Sequence, residues 1–206
     1  MSGADLNNGY FVSSDITAHR LLGYEIPSSW WSRIYEYPWA LKYAFPKDVC
    51  ADMGSGEYYR PFKDCLARTC KTCYAVDLNP DRMDYSKKVV YIQADFTERI
   101  EQLSDQSLDK IYCISVLEEV DCPQKTLNEF YRLLKPGGIA VLTFDCIYDH
   151  EKAVGKYKGI EPSEFGNWVK ESGFHYYGSA PNYNHTNGMI FNEKLNLCVF
   201  HSVLQK

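Results

Sequence analysis

A chain of 206 residues, 45% of them hydrophobic, is long enough to bury one sizeable core. Its formal net charge of -5 argues against broad electrostatic binding of DNA or RNA, which requires clustered lysine and arginine, so nucleic acid is an unlikely partner. The N-terminus has no basic start and no apolar run, and no segment approaches the roughly 18 apolar residues of a membrane span. We therefore expect a cytoplasmic protein without a membrane span, whose eight cysteines are reduced.

Residues 1–45 carry many aromatic side chains and lack the periodic pattern of the rest of the chain. Ser28-Ser29 can cap a helix, and Pro38 is expected to break or restart that helix. We predict a helical cap over residues 1–45 and a main domain over residues 46–206. The cap either packs on the main domain or covers a pocket as a lid, and an exposed aromatic helix would also suit a homodimer.

From Asp48 onward, strand and helix patterns alternate. The candidate strands are 49–52, 73–77, 89–93, 110–115 and 139–144. The candidate helices lie near 59–69, 97–103 and 124–134, and a further helix opens at Pro162 with Ser163 as a possible cap. This alternation predicts an α/β fold with a mostly parallel sheet and helices on both faces. Segments 174–179 and 195–203 have no helix between them, so they should form a C-terminal antiparallel hairpin.

The pair Cys70 and Cys73 forms a C-x-x-C pattern that leads into a predicted strand. A zinc site would need a second pair or nearby histidines at ligand spacing, and the sequence offers neither. We expect one loop cysteine and one core cysteine, and no metal site.

The most informative segment is a short apolar strand that ends in Asp52 and is followed by Gly54, Ser55 and Gly56. Glycines allow a tight turn and a close approach of a ligand to the backbone. A dinucleotide site would favour a small residue three positions later, where this chain has Tyr59. An acid before the turn would repel a pyrophosphate and attract a cation. S-adenosylmethionine, with a sulfonium, an ammonium and no phosphate, fits these charges.

The motifs from about Val49 to Val203 resemble, in order and spacing, the class I S-adenosylmethionine-dependent methyltransferases of the small-molecule, type 11-like branch. The resemblance implies a Rossmann-like sheet in which the first turn holds the methionine part, Asp77 the ribose and Asp95 the adenine amine. It also implies the turn from Leu133 to Gly138 before the fifth strand. The cofactor-binding residues implied are Asp52, Gly54, Ser55, Gly56, Asp77, Leu78, Asp95, Phe96, Ser115 and Val116.

The chain departs from the family after the fourth strand, where many small-molecule members have Glu-His and this chain has Glu118-Glu119. The Asn/Asp-Pro-Pro-aromatic motif typical of nucleic-acid amino methyltransferases is absent, and Cys122 is expected to be a loop thiol. His150 is a candidate general base because its unperturbed pKa lies near neutrality, and Glu118 and Glu119 are the other catalytic candidates. Asp145 and Asp149 are further acids near the predicted pocket.

The substrate pocket is predicted from the aromatic segment and comprises Trp30, Trp31, Arg33, Tyr35 and Tyr37. Tryptophan and tyrosine suit a flat or apolar acceptor, and Arg33 would suit a carboxylate or phosphate on it. The alternative is that these aromatics cover the sheet and never meet a substrate.

The sequence thus predicts an S-adenosylmethionine-dependent methyltransferase that acts on a small or medium-sized metabolite. The alternatives are an S-adenosylmethionine-binding domain that acts through a partner without catalysis, and a protein or RNA methyltransferase. Oxygen, nitrogen, carbon and sulfur acceptors all stay open, because a fold does not fix a function.

Overall fold

The computed structural model describes residues 7–56, 61–80, 88–152 and 159–206. The strands are β1 (Gly9–Tyr10), β2 (Arg20–Leu21), β3 (Tyr24–Glu25), β4 (Val49–Met53), β5 (Thr72–Asp77), β6 (Val89–Gln93), β7 (Leu108–Ile114), β8 (Leu134–Ile147), β9 (His175–Tyr176), β10 (Phe191–Asn192) and β11 (Leu197–Gln205). The helices are α1 (Arg33–Leu41), α2 (Phe62–Thr69), α3 (Pro123–Leu133) and α4 (Pro162–Glu171), with a 3₁₀ turn at Leu117–Glu119. None of the helices in these ranges is long and apolar enough to cross a membrane.

Within the described residues, nine strands form one mixed sheet in the order β1-β11-β8-β7-β4-β5-β6, with β9 and β10 also paired to β11. The strands from β6 to β8 are parallel, and β11 runs antiparallel to β8. The predicted α/β class with a closing antiparallel element is confirmed. Strand order reverses beside β4, because β5 follows on one side and β7 lies on the other. Ligands of open α/β sheets bind at such a point, outside the carboxyl ends of the strands.

The sheet is covered on both faces by apolar side chains. One core includes Phe130 of α3 and Phe165 of α4, and the other includes Leu66 of α2 and Trp39 of α1. Phe11, which lies before α1, belongs to the second core and is 1% exposed. The N-terminal segment thus shares a core with the sheet, and β1 also pairs with β11. The domain boundary at residue 45 stays a prediction.

Helix α1 differs from the prediction, because Pro38 lies inside one continuous helix and does not break it. Proline has no N–H to donate to the carbonyl four residues before it, which here is that of Ile34. That carbonyl instead accepts a hydrogen bond of 2.9 Å from the backbone N–H of Ala18. The residue at the helix N-cap is Ser32, not Ser28 or Ser29, and its side chain makes no capping bond.

The helix predicted over 97–103 is wrong, since the segment forms turns. The Oδ1 atom of Asp95 accepts bonds from the N–H and hydroxyl of Thr97, at 2.9 and 2.6 Å. The N–H of Ile100 donates to Glu129 Oε1 of α3 at 2.8 Å. Side chains thus provide the hydrogen bonds that a helix would have made within its own backbone.

Three further details differ from the sequence prediction. Helix α4 is capped at Glu161 and begins at Pro162, so Ser163 is not its cap. The predicted strand over 174–179 is reduced to the two residues of β9, which do pair antiparallel with β11. The predicted turn after α3 forms the irregular start of β8, where the pairing with β7 shifts register.

The cysteines all lie in the described part of the chain and are free thiols. Cys70 and Cys73 are both buried, and Cys73 is paired in register with Cys50 of β4. Cys122 is exposed. A hydrogen bond with Cys50 lowers the pKa of the Cys73 thiol, but burial and nearby acids outweigh it, and burial raises the pKa of Cys113. Both thiols therefore stay protonated and pack as small apolar groups.

Candidate cofactor site

The turn after β4 is fixed by backbone hydrogen bonds to the neighbouring strand. The N–H groups of Gly54 and Ser55 donate to the carbonyl of Val76, at 2.8 and 3.2 Å. Gly54 has a φ of 75°, in the left-handed region that favours glycine. A Cβ at this position would lie 2.6 Å from both Cγ atoms of Val116. Glycine is therefore required twice, for its backbone conformation and for the space it leaves.

A cavity of about 180 Å³ opens at this turn. The turn and Asp52 form one wall, and Ser115 and Val116 at the end of β7 form another. Arg33 and Tyr37 of α1 line it from the N-terminal segment. The structure thus brings together six of the predicted cofactor-binding residues with two that were predicted to bind substrate: Asp52, Gly54, Ser55, Gly56, Ser115, Val116, Arg33 and Tyr37.

Opposite charges meet in this cavity. Asp52 is 5% exposed, and burial raises its pKa to about 7, although the cation of the buried Lys63 opposes that shift. Arg33 is the one cationic side chain among the residues that line the cavity. A carboxylate for an ammonium and a guanidinium for a carboxylate suit the two ends of an amino acid. The Ser55 hydroxyl is buried with no hydrogen-bond partner among the described residues, so a donor or acceptor on a ligand would satisfy it.

Glu36 of α1 organises the cavity wall and was not found from the sequence. It is fully buried and forms an ion pair with Arg33. Its Oε1 atom also accepts hydrogen bonds from the hydroxyls of Ser115, at 2.5 Å, and Thr143, at 2.6 Å. Ser115 has a φ of 45°, so this bond helps to hold a left-handed residue at the end of β7. The only sequence signal was an acid three residues after Arg33 on an aromatic helix.

Asp77, which was predicted to hold the ribose, is the last residue of β5. The Asp77 carboxylate accepts backbone N–H bonds from Gly56, at 2.9 Å, and Asn79, at 3.1 Å. Leu78 beside it is 60% exposed. The carboxylate is therefore held in place by backbone donors beside the glycine turn.

Asp95 and Phe96, the predicted residues of the adenine motif, differ in their exposure to solvent. Asp95 is exposed at the end of β6. Phe96 is 6% exposed and packs in the core, with its ring centroid 6.1 Å from that of Phe130. The ring is thus packed against α3, and the contact of Phe96 with the cofactor stays a prediction.

The predicted catalytic residues separate into two groups. Glu118 is 6% exposed, and burial together with the nearby Asp145 raises its pKa well above the usual range. Burial and Glu36 raise the pKa of Asp145 to about 7. Glu119 is exposed, and His150 is an exposed residue paired with Glu161, with 3.3 Å between Nε2 and Oε1. His150 is not among the residues that line the cavities described here.

A second cavity, of about 150 Å³, lies beside the first and shares Arg33 with it. Its other lining residues are Trp30, Trp31, Ser32 and Asp145. Tyr35 was predicted to join this group but packs near the ring of Phe11, at 6.2 Å between centroids.

The sheet order, the glycine turn after an acidic strand end and the acid at the end of the next strand agree with the predicted Rossmann-like fold of the class I methyltransferases. Residues 51–142 match the family model described as a methyltransferase domain. The residues around this turn fit S-adenosylmethionine. Asp52 and Arg33 line the first cavity and suit its ammonium and carboxylate, and Asp77, at the end of β5, suits its ribose hydroxyls.

Several solved structures have similar folds. An S-adenosylmethionine-dependent methyltransferase from Mesorhizobium loti superposes with a TM-score of 0.63 at 14% identity, over 83% of this chain and 97% of that one. Phosphoethanolamine N-methyltransferase 2 of Haemonchus contortus, in complex with S-adenosylmethionine, gives 0.62 at 13% identity, over 82% of this chain and 52% of that one. The cyclase SpnF gives 0.66 at 13% identity, over 98% of this chain and 88% of that one.

A curated relative matches by sequence over a short stretch. Thiol S-methyltransferase TMT1B of Rattus norvegicus is 46% identical over 44 residues, which are 21% of this chain and 18% of that protein. The match therefore spans less than a fifth of the relative's length.

Proposed function

We propose that this chain transfers the methyl group of S-adenosylmethionine to a small or medium-sized metabolite. The observation that carries the proposal is that Asp52 and Arg33 both line one cavity at the glycine turn. These two charges suit the ammonium and carboxylate of the cofactor's methionine part. S-adenosylmethionine supplies an electrophilic methyl group, and the main task of the protein is to align it with an acceptor and exclude water.

The residues around the cavity support this task in distinct ways. Glu36 holds Arg33 by an ion pair and Ser115 by a hydrogen bond, so both stay oriented in the absence of ligand. Val116 lies against Gly54 and closes the wall between them. Asp145 has a pKa of about 7, which suits a group that takes a proton from an acceptor near neutral pH.

Methyl transfer is tested with a labelled donor. We expect the purified chain to transfer label from methyl-labelled S-adenosylmethionine to a component of a metabolite extract, identified by its mass. The cyclase SpnF has a similar fold, so this fold does not by itself imply methyl transfer. Binding of the cofactor without any transfer would favour the non-catalytic alternative. The match to thiol S-methyltransferases is too short to name the acceptor. The homodimer and the cytoplasmic location stay predictions.

Asp77→Ala should weaken cofactor binding. The change removes a carboxylate that is positioned for charge-assisted hydrogen bonds, which contribute about 1.5–3 kcal/mol, so the Kd for S-adenosylhomocysteine should rise by roughly 10- to 150-fold. Calorimetric titration measures this effect. Asp121→Asn, which removes an exposed loop carboxylate, is the control and should leave the Kd unchanged. An unaltered Kd in Asp77→Ala would contradict the assigned ribose contact.

Cofactor affinity should increase as the pH rises towards neutrality. The pKa of Asp52 is about 7, so below that pH the group is largely protonated and must lose its proton to bind an ammonium. We expect the Kd for S-adenosylhomocysteine to fall by up to about tenfold per pH unit below the pKa and to level off above it. Titrations between about pH 5.5 and 7.5 measure the slope. Asp52→Asn should abolish it, whereas Asp145→Asn, which removes the other group of similar pKa, should retain it.

A further inference from the structure

The second cavity has walls that suit a cation. Trp30 and Trp31 are half-buried neighbours on its rim, and Asp145 lies on the same cavity. Indole rings are the aromatic groups that attract ammonium ions most strongly, and a carboxylate adds a countercharge. Because Arg33 lines both cavities, a group held here is next to the cofactor cavity.

The side chains around this cavity carry an excess of negative charge. The charge of Arg33 is balanced by Glu36, with which it forms an ion pair, and its guanidinium also donates to the Ser32 hydroxyl at 3.2 Å. Asp145 is then the one acid on the cavity wall, with Glu118 nearby, and the lining residues include no cation besides Arg33. The Oε2 atom of Glu118 is buried and has no hydrogen-bond partner among the described residues. Burial and Asp145 raise the pKa of Glu118, and burial and Glu36 raise the pKa of Asp145, so an added cation would relieve the cost of holding a negative charge here.

We propose that the second cavity binds the ammonium form of an amine, between the indoles of Trp30 and Trp31 and the carboxylate of Asp145, and that the methyl acceptor is therefore an amine. This inference rests on the proposed methyl transfer. The carboxylate of Asp145 takes the proton from the ammonium, and the freed nitrogen electron pair forms the new N–C bond. The S–C bond breaks with its electron pair kept by sulfur. A carboxylate acceptor would instead meet the repulsion of Glu118 and Asp145.

The test compares three probes with one carbon skeleton: 2-phenylethylamine, 2-phenylethanol and 2-phenylethanethiol. Each is titrated by calorimetry into the full chain saturated with S-adenosylhomocysteine. We expect the amine to bind at least about tenfold more tightly than the alcohol or the thiol. Asp145→Asn should remove most of that preference and leave the affinity for 2-phenylethanol unchanged. Asp121→Asn, at an exposed loop position, should retain it.

The outcomes separate this inference from the proposed function. Equal binding of the three probes, tighter binding of the alcohol or thiol, or no binding of the amine at millimolar concentration would overturn the amine inference, although S-adenosylhomocysteine still binds. Failure of S-adenosylhomocysteine to bind would overturn the proposed function itself. Trp31→Leu gives a second test. It should weaken the binding of 2-phenylethylamine by about fivefold or more and leave the affinity for S-adenosylhomocysteine unchanged.

Discussion

Gly54→Ala is expected to weaken S-adenosylhomocysteine binding on the order of 100-fold. The new Cβ would lie 2.6 Å from the Val116 Cγ atoms, and the residue would keep a φ of 75° that alanine disfavours. Overpacking costs about 1–3 kcal/mol and a left-handed alanine about 1–2 kcal/mol. The turn can avoid this cost only by moving its backbone, which displaces the N–H groups of the cofactor wall. Calorimetric titration and urea unfolding measure the two consequences.

Two variants separate the contact from the backbone effect. Gly137→Ala is matched in conformation, with a φ of 77°, but has nothing within 4 Å of its added Cβ. Gly137→Ala should lower the free energy of unfolding only by the cost of an alanine at positive φ, and it should leave the Kd for S-adenosylhomocysteine unchanged. Adding Val116→Ala to Gly54→Ala removes both clashing Cγ atoms and should restore part of the binding. Wild-type affinity in Gly54→Ala would show that the close approach to Val116 does not shape the cofactor site.

Glu36→Gln is expected to lower the free energy of unfolding by on the order of 3 kcal/mol and to weaken cofactor binding about tenfold. The substitution keeps the volume of the side chain but leaves the Arg33 guanidinium without its countercharge, and breaking a buried ion pair is costly. It also weakens the acceptor for the Ser115 and Thr143 hydroxyls. Urea unfolding gives the first effect and titration with S-adenosylhomocysteine the second.

The pair Arg132 and Glu129 in α3 provides a matched control. It has the same three-residue spacing and is also largely buried, with side-chain exposures of 14% and 8%. Glu129→Gln should also lower stability, because it breaks a largely buried pair and weakens the bond to the Ile100 N–H, although Arg132 keeps its ion pair with Asp105. It should leave the Kd unchanged, since neither residue lines the cofactor cavity. Equal effects of both variants on the Kd would mean that Glu36 acts through stability alone.

The sequence allowed a good prediction of the sheet because its strands are short apolar runs with local boundaries. Strand β6 was predicted at the residues where it lies, and β4 and β5 differ by one residue at one end. The helix over 97–103 failed, because side chains of Asp95 and Glu129 take the backbone donors of that segment. The helix break predicted at Pro38 was wrong for a similar reason. The Ile34 carbonyl, which proline leaves without a donor, accepts a hydrogen bond from the distant N–H of Ala18.

The sequence by itself determined the α/β class of the fold and the tight turn formed by Asp52 and the glycines after β4. These features are local, because a positive φ requires glycine and a strand end is marked by the residues beside it. Only the tertiary structure decided which distant groups join that turn. Glu36 bonds to Ser115, 79 residues away, and to Thr143, 107 residues away, and Trp30 shares a cavity with Asp145. Such contacts depend on where the packed core places α1 over the ends of β7 and β8, and no local pattern records that placement.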